Sequence, residues 1–433
     1  MPEGIRAPAS VGQRLLWLME HYRGSAGVLN CPLLVRFRGP LDVAAVKLVV
    51  DRLTGRHESL RTVFVGTGRR LAQVVQEPRP VTIECKDLSG EPDVDAALVR
   101  SIAAQLESQI DASACPVRVG LWRLGGDDHV LCFNMHHLVA DGWSCGVIFE
   151  EISTLYEIVT GGRAALPGVG WQFAQFVQWQ TEAFESAAFR VHQQYWRRQL
   201  DGMKIPALPF AGTRSDPTRR HVGRETVCLT PTVSAGLRQI ARGRRSTIFS
   251  VMLSIYYWLL MELTGDRDLA VASVFANRLK PELRRTVGPL AHMVVLRTQL
   301  RRVATFGDLL RETHGAVSGA FLHQEVPFHM VPGFESNTAS ARADDVVFQM
   351  VARPLVRSTV NGTYIRALEV EGMGQRFGCE CAVFPVEDSF TVAVSYDENR
   401  LDPVFVRALI ARYGEAASRV AANPDVRLAA LAN

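Results

Sequence analysis

The hydrophobic positions of this chain switch repeatedly between helical and strand spacing. Residues 43–53 carry apolar side chains three and four apart, which predicts a helix capped by Asp42, whereas residues 33–37 alternate as a strand does. Ser10 and Gln13 have the spacing of a capping box at the start of a first helix. Further helices are predicted over residues 94–110, 173–199, 246–263 and 403–420, and further strands over residues 59–65, 71–75, 81–85, 116–124, 129–135, 269–273, 294–297, 346–351 and 390–396. This mixture predicts an α/β fold.

The length of the chain predicts two lobes. A chain of 433 residues exceeds what one hydrophobic core usually serves. Residues 161–170 are rich in glycine and contain Pro167, so they are the best candidate for a linker. The predicted lobes are residues 1–170 and 171–433.

Composition and charge exclude several functional classes. With 47% hydrophobic and 21% charged residues the chain has the balance of a soluble globular protein, and a net charge of +4 is too small for a dedicated nucleic-acid binder. The longest apolar run, residues 248–263, is interrupted by Ser250 and Ser254 and indicates a buried helix rather than a membrane segment. No signal peptide is visible, so a cytoplasmic location is expected.

The eight cysteines show no metal-binding pattern. Cys379 and Cys381 lie two apart in a strand-like stretch and should face the same side, but further ligands at metal-site spacing are missing. We expect all eight to be reduced thiols, most of them buried, and we expect no metal site.

Residues 136–142, His-His-Leu-Val-Ala-Asp-Gly, carry the strongest chemical signal. A predicted strand runs into His136 and a helical pattern begins near Ser144, so rigid elements hold both ends of this loop. A bare pair of histidines is often a surface feature, but an Asp and a Gly at fixed offsets favour a catalytic motif. Imidazole suits proton transfer or orientation near neutral pH. Adjacent residues cannot both face a substrate, so one histidine is expected to be catalytic and its neighbour structural.

The last two residues of the motif have physical roles of their own. Asp141 can brace the loop through an ion pair, and Gly142 lets the backbone approach a ligand closely while the chain turns into a helix. The free N–H groups of that helix start could also stabilise a developing oxyanion.

Several segments resemble the motifs of nonribosomal peptide synthetase condensation domains, which are relatives of chloramphenicol acetyltransferase. Residues 136–144 resemble the active-site motif, and residues 56–64, Arg-His-Glu-Ser-Leu-Arg-Thr-Val-Phe, resemble the second motif. The resemblance spans nearly the whole chain and also includes residues 10–17, 173–180, 194–196, 276–278, 323–328 and 347–350.

The resemblance implies two acetyltransferase-like lobes forming a V, with the active site in a tunnel between them. A donor carrier protein would deliver the acyl group on its phosphopantetheine arm, so the protein would need no bound cofactor of its own. The acceptor would be a small molecule or a second carrier-bound group, with no nucleic acid or membrane involved. His137, beside His136, would be the catalytic imidazole, either as a full base or by positioning the nucleophile. Asp141 would pair with Arg278, and Gly142 would lie nearest the nucleophile.

The resemblance also places Trp143, Ser144, His292 and Met293 along the tunnel, with Trp143 expected to pack rather than react. His292 and Met293 stand where the family usually has Asn and Thr. One interpretation is an altered acceptor side, suited to a small soluble acceptor or an alcohol that yields an ester. The other is neutral drift at a lining position.

Two rival functions remain. The first is a coenzyme A- or polyketide-associated O-acyltransferase of the same superfamily, and the second is a recruitment domain that has lost the chemistry. No carrier, adenylation or thioesterase signature accompanies the motifs, and the chain begins about ten residues before the first one. A free-standing enzyme is therefore expected, with an excised domain as the alternative.

Overall fold

The computed structural model describes residues 4–23, 29–203, 205–210, 222–300, 303–331, 345–351, 358–368 and 377–431. The chain forms two compact units, each assembled from three segments. The first unit contains Met1–Phe184, Ala276–Ala291 and Leu355–Met373, and the second contains Glu185–Phe275, His292–Pro354 and Gly374–Asn433.

Both units contain helices and strands, as the hydrophobic pattern predicts. The helices are α1 (Val11–Arg23), α2 (Val43–Arg56), α3 (Val94–Glu107), α4 (Gly142–Val159), α5 (Phe173–Phe184), α6 (Ala187–Leu200), α7 (Pro231–Gly243), α8 (Ile248–Thr264), α9 (Phe306–Leu322), α10 (Pro403–Ala422) and α11 (Leu428–Leu431). The strands are β1 (Ile5–Pro8), β2 (Asn30–Arg38), β3 (Thr62–Val65), β4 (Ala72–Val75), β5 (Ile83–Asp87), β6 (Val117–Gly125), β7 (Asp128–His136), β8 (Val222–Leu229), β9 (Asp268–Phe275), β10 (His292–Gln299), β11 (Val346–Met350), β12 (Ser358–Val360), β13 (Thr363–Leu368), β14 (Cys379–Val386) and β15 (Ser389–Asp397).

The first unit is built on a sheet with the strand order β12-β13-β2-β7-β6-β5 and on a smaller sheet with the order β1-β4-β3. The central strands β2 and β7 are antiparallel, with Asn30 opposite His136. Helices α2 and α4 bury their apolar faces in the core formed with these strands, including the fully buried Val50, Val147 and Phe133. The late segment that contains β12 and β13 completes the sheet, because β13 pairs with β2.

The second unit is built on a sheet with the order β10-β9-β11-β14-β15-β8. Its central helix α8 is buried from Ser250 to Met261, which explains the apolar run of the sequence as a core helix. Two of its buried aromatic residues have hydrogen-bond partners: Tyr257 Oη donates to the carbonyl of Leu296 at 2.8 Å, and Trp258 Nε1 donates to the carbonyl of Leu428 at 3.2 Å. Burying such groups with a hydrogen-bond partner avoids the cost of an orphaned donor.

Local chemistry explains where the elements depart from the predicted bounds. The long helix predicted over residues 173–199 is two helices, because the side chain of Ser186 caps a new helix by accepting the N–H of Phe189. The strand predicted from residue 59 begins only at Thr62, after a 3₁₀ turn over Glu58–Arg61. The predicted cap is present, since Asp42 accepts the N–H of Ala45.

The first unit extends past residue 170, where the sequence predicted a lobe boundary. Helix α5 packs into the first unit because Phe173 and Phe176 form a buried cluster with Leu283 and Leu290. The segments 276–291 and 355–373 of the predicted second lobe also belong to the first unit. The predicted lobes and their V-shaped arrangement stay predictions.

All eight cysteines are reduced thiols, but the prediction that most are buried is wrong. Cys31, Cys132, Cys379 and Cys381 are buried, Cys145 is half-buried, and three are exposed: Cys85, Cys115 and Cys228. Periodicity places a residue on a strand or helix, but it does not show which face the tertiary packing covers.

Within the part of the chain that the structure describes, no single helix is long and apolar enough to cross a membrane, although α7 and α8, joined at a bend of 108°, reach that length and composition together.

Candidate active site

The loop of residues 136–142, called the histidine loop below, connects the end of β7 to the start of α4. Its backbone is hydrogen-bonded to neighbouring strands. The N–H of His136 donates to the carbonyl of Pro116 at 2.8 Å, and the N–H of His137 donates to the carbonyl of Leu29 at 2.7 Å. These bonds fix the direction in which the two histidines leave the sheet.

The opening motif of the chain also supports this loop. Ser10 and Gln13 form the predicted capping box: the N–H of Ser10 donates to Gln13 Oε1 at 2.8 Å, and the N–H of Gln13 donates to Ser10 Oγ at 3.0 Å. The amide nitrogen of Gln13 then donates to the carbonyl of Leu138 at 2.9 Å. One side chain therefore joins the start of α1 to the histidine loop.

His136 is buried and both of its ring nitrogens are bonded. The N–H of Leu138 donates to Nδ1 at 3.1 Å, so this nitrogen carries a lone pair and the ring proton lies on Nε2. Nε2 lies 3.1 Å from Glu20 Oε1 and donates to it. In this arrangement His136 is neutral and has no free nitrogen for a substrate. Its geometry is that of a positioning residue for its neighbour.

Glu20 is a site residue that the sequence analysis missed. Its carboxylate also accepts the amide N–H of Gln109 at 3.1 Å. Burial pushes the pKa of Glu20 upward, but the hydrogen bonds from His136 and Gln109 outweigh burial and hold this pKa below its ordinary value. A single glutamate on an amphipathic helix carries no motif, so only the packing of α1 near the loop reveals its role.

Replacing Glu20 should impair acyl transfer through His136. In Glu20→Ala the buried Nε2–H of His136 loses its acceptor, which costs about 1–3 kcal/mol and frees the ring to turn. We expect kcat to fall by about tenfold or more. Glu20→Gln retains an acceptor oxygen and should restore most of the activity. Steady-state kinetics of the two variants would decide this, and equal activity of Glu20→Ala and the parent would contradict it.

Asp141 lies at the N-cap of α4 and is fully buried, with six hydrogen bonds. Its Oδ1 accepts the N–H and the hydroxyl of Ser144, both at 2.8 Å, and Arg278 Nη2 at 3.0 Å. Its Oδ2 accepts Arg278 Nη1 at 3.0 Å and the N–H groups of Leu290 at 3.1 Å and Ala291 at 2.9 Å. The structure thus brings together Asp141 and Arg278, as the resemblance implied.

The charge of Asp141 is fully compensated. Burial raises the pKa of this carboxyl, but the charge and hydrogen bonds of Arg278 outweigh burial, so the pKa lies below its ordinary value. The side chain of Arg278 is 2% exposed and also donates to the carbonyls of Ala276 at 2.8 Å and of Thr286 and Gly288 at 3.3 Å. A buried pair with such additional bonds keeps both ions charged.

A second buried carboxylate, that of Glu151 on α4, also binds the segment 276–291, through Arg285. Its Oε2 lies 2.9 Å from Arg56 Nε and 2.8 Å from His57 Nε2, and its Oε1 lies 3.1 Å from Arg285 Nη2. Burial raises the pKa of Glu151, but His57 and the arginines outweigh burial and lower it. Arg56 and His57 of the second motif therefore have a structural role, and the bond from Arg285 ties the segment 276–291 to α4.

Trp143 bonds to the segment 276–291, and Ser144 bonds to Asp141. The indole N–H of Trp143 donates to the carbonyl of Arg284 at 2.9 Å, and the Arg278 guanidinium lies 5.6 Å from the ring centroid. Trp143 is half-buried and packs, as expected. Ser144 is fully buried, so it supports Asp141 and has no exposed surface with which to line a tunnel. This corrects its assignment as a lining residue.

Gly142 is exposed, and none of the described residues requires a glycine at this position. A Cβ built on it meets no heavy atom within 4 Å. Its φ also lies outside the left-handed region that favours glycine. The N–H of Ser144 donates to Asp141 Oδ1, whereas the N–H of Gly142, the first residue of α4, is not bonded by the Asp141 carboxylate. This open position one residue after Asp141 is compatible with the predicted close approach of a ligand.

Gly142→Ala should lower the activity and leave the stability nearly unchanged. The added methyl group has space around it, so the free energy of unfolding should stay within about 0.5 kcal/mol of the parent value or rise slightly. Acyl transfer should fall by about tenfold or more if the substrate needs this space. Gly315→Ala on α9 is a matched control, because it also meets no atom within 4 Å and is exposed. Full activity of Gly142→Ala would contradict the assignment.

The remaining predicted site residues are placed as follows. His137 is half-buried on the histidine loop. His292 and Met293 begin β10 in the second unit, are half-buried, and pair with Phe275 and Val274 on β9. Their lining of a tunnel stays a prediction. In the described segments, no group of three or more His, Cys, Asp or Glu residues could hold a metal ion.

Comparison with known sequences gives a consistent result. The family model described as Condensation domain matches residues 6–432. Chondramide synthase cmdD of Chondromyces crocatus is 29% identical over 437 residues, which cover 99% of this chain and 11% of that protein. Phosphinothricin tripeptide synthetase PhsC of Streptomyces viridochromogenes is 29% identical over 436 residues, which cover 98% of this chain and 40% of that protein. The chain spans less than half the length of either relative.

Solved structures share the fold. The SgcC5 protein of Streptomyces globisporus, solved with (R)-(-)-1-(2-naphthyl)-1,2-ethanediol and sucrose, matches with a TM-score of 0.82 at 24% identity, covering 97% of this chain and 100% of that one. The first condensation domain of the calcium-dependent antibiotic synthetase matches with a TM-score of 0.81 at 17% identity, covering 98% of each chain. The predicted acetyltransferase-like α/β fold class is confirmed.

Proposed function

The chain belongs to the condensation-domain family, and from that premise we propose that it transfers an acyl or aminoacyl group from a carrier-protein phosphopantetheine thioester to an amine or an alcohol. Condensation domains are acyltransferase-type catalysts of amide-bond formation, and they are parts of the synthetases to which this chain is similar. The single observation that supports the proposal most is the intact histidine loop, fixed by the buried Asp141–Arg278 pair.

In the proposed reaction His137 accepts, or orients, the proton of the attacking N–H or O–H group. The nucleophile forms a bond to the thioester carbonyl carbon, the carbon–sulfur bond breaks, and the thiolate that leaves takes up the proton. The N–H group of Gly142 is the candidate for stabilising the oxyanion, since it lies at the positive end of α4. Gly142 provides the space for this approach.

The rival functions have less support. A recruitment domain without chemistry would not need His136 fixed by Glu20 or the open position at Gly142. A coenzyme A- or polyketide-associated O-acyltransferase would share the loop, but the match to the condensation-domain family over residues 6–432 favours carrier-bound donors. Turnover of coenzyme A thioesters without any carrier protein would support that rival.

The decisive experiment is intact mass spectrometry of acyl-loaded carrier proteins incubated with a panel of amines and alcohols. We expect the acyl mass to leave the carrier and to appear on at least one acceptor, and His137→Ala serves as the inactive control. The double variant His292→Asn with Met293→Thr tests the acceptor side: a changed preference between amines and alcohols supports an adapted acceptor site, and an unchanged preference supports neutral drift. Transfer by His137→Ala at the parent rate would refute the proposal.

The partners follow from this proposal. They are a donor carrier protein and a small-molecule or carrier-bound acceptor, and the thioester arm arrives with the carrier rather than as a resident cofactor. A cytoplasmic location is part of the same proposal, since carrier-bound intermediates are made there.

A further inference from the structure

Two cysteines from distant parts of the first unit lie side by side next to the histidine loop. Cys31 Sγ and Cys145 Sγ are 3.7 Å apart. Cys31 is buried on β2, and Cys145 is half-buried in the first turn of α4. Nothing in the proposed transfer reaction uses either thiol.

We propose that Cys31 and Cys145 form a reversible disulfide that switches off the site. A disulfide has an S–S length of about 2.05 Å, so closing the bond shortens the present 3.7 Å separation by about 1.7 Å. A movement of this size is within reach of side-chain rotation and a small shift of the two elements. The alternative is that the two sulfurs are simply packed against each other.

The two cysteines lie on β2 and α4, the strand and the helix whose backbones are bonded to the histidine loop. Cys31 follows Asn30, which faces His136, and the carbonyl of Leu29 accepts the N–H of His137. On the other side, the N–H of Cys145 donates to the carbonyl of Asp141 at 3.1 Å. A bond between the sulfurs would therefore draw the strand and the helix that hold the loop towards each other. Misplacing a reacting group by about 1 Å can cost about 10²-fold in rate.

Cys145 is more exposed than Cys31, so Cys145 is the thiol that reacts first. Hydrogen peroxide reaches the half-buried Cys145 first: the sulfur attacks one peroxide oxygen, the O–O bond breaks, a sulfenic acid forms, and the other oxygen leaves as water. The sulfur of Cys31 then attacks the sulfenic sulfur, the S–O bond breaks, and a second water leaves. In sum the two thiols lose two protons and two electrons, and hydrogen peroxide takes up both to become two molecules of water. A dithiol reverses the reaction by exchange.

The test uses a parent in which the three exposed cysteines are replaced by serine: Cys85, Cys115 and Cys228. The protein is treated with hydrogen peroxide, and unreduced peptides are mapped after digestion with trypsin and a protease that cleaves before Asp. Cleavage before Asp141 separates Cys132 from Cys145, so the cross-linked peptide identifies the pair. We expect a Cys31–Cys145 peptide lacking two hydrogens, a loss of acyl transfer of about tenfold or more, and recovery with dithiothreitol.

Two further variants complete the design. Cys31→Ala and Cys145→Ala should each remain active after the same peroxide treatment and yield no cross-link. Sulfinic acid on Cys145 without a cross-link would overturn the proposal, and so would a cross-linked protein with full activity. The activity measurement rests on the proposed function, whereas peptide mapping does not. If the reduced parent transfers no acyl group, the proposed function fails, and the mapping alone decides whether the disulfide exists.

Discussion

Replacing His137 by alanine should slow acyl transfer by a factor of about 10² to 10⁴, the usual contribution of a proton-transferring group. The imidazole is half-buried, and the bond that fixes this residue to Leu29 comes from its backbone N–H, which alanine retains. The fold should therefore survive the substitution. The rate should fall in kcat, with the thioester donor still bound.

Two comparisons make this prediction specific. His136→Ala should lower stability as well as activity, because it leaves the N–H of the buried Leu138 without its acceptor and removes the bond from His136 to the half-buried Glu20. The exposed His21 on α1 should tolerate alanine with little change in rate. Kinetics with a carrier-bound donor and urea unfolding of all three variants provide the measurement. A His137→Ala variant within about threefold of the parent rate would remove His137 from the chemistry.

Arg278→Ala should destabilise the protein by about 3–5 kcal/mol. The substitution leaves the Asp141 carboxylate fully buried and without its countercharge. It also removes the bonds to the carbonyls of Ala276, Thr286 and Gly288, which fix the conformation of the segment 276–291 itself. Urea unfolding would measure the loss. Activity should fall too, because Asp141 caps α4 and fixes the end of the histidine loop.

The matched control is Arg123→Ala. Arg123 also pairs with an aspartate in the first unit, Asp87 at 3.1 Å, but the two side chains are 50% and 53% exposed. Exposed ion pairs contribute about 0–1 kcal/mol, so this variant should unfold close to the parent midpoint. Equal destabilisation by the two arginine variants would contradict the role given to the buried pair.

The pH dependence gives an independent check on Arg278→Ala. In the parent the pKa of Asp141 lies below its ordinary value, so its stabilisation is present above pH of about 4 and is lost as the pH falls through the lowered pKa. In the variant burial acts without the arginine and raises the pKa of Asp141, so the folded state takes up a proton more readily. The stability difference between parent and variant should therefore shrink between pH 7 and about pH 5. A difference independent of pH would show that charge burial is not the cause.

The sequence by itself was sufficient for those features that neighbouring residues encode. Hydrophobic periodicity predicted most of the helices and strands, and the capping spacing of Ser10 and Gln13 predicted the bonds that the structure contains. The strand before His136 and the helix after Asp141 placed the histidine loop between two rigid elements. Resemblance at motif level, rather than spacing, supplied the pairing of Asp141 with Arg278.

Tertiary structure alone decided which distant side chains meet. Glu20 on α1 and Glu151 on α4 contact the two histidines His136 and His57, but no local pattern separates these glutamates from solvated surface residues. Cys31 and Cys145 become neighbours only because β2 and α4 pack in one core. Local sequence fixes backbone conformation through short-range sterics and hydrogen bonds, whereas a contact between remote segments depends on the packing of the whole unit.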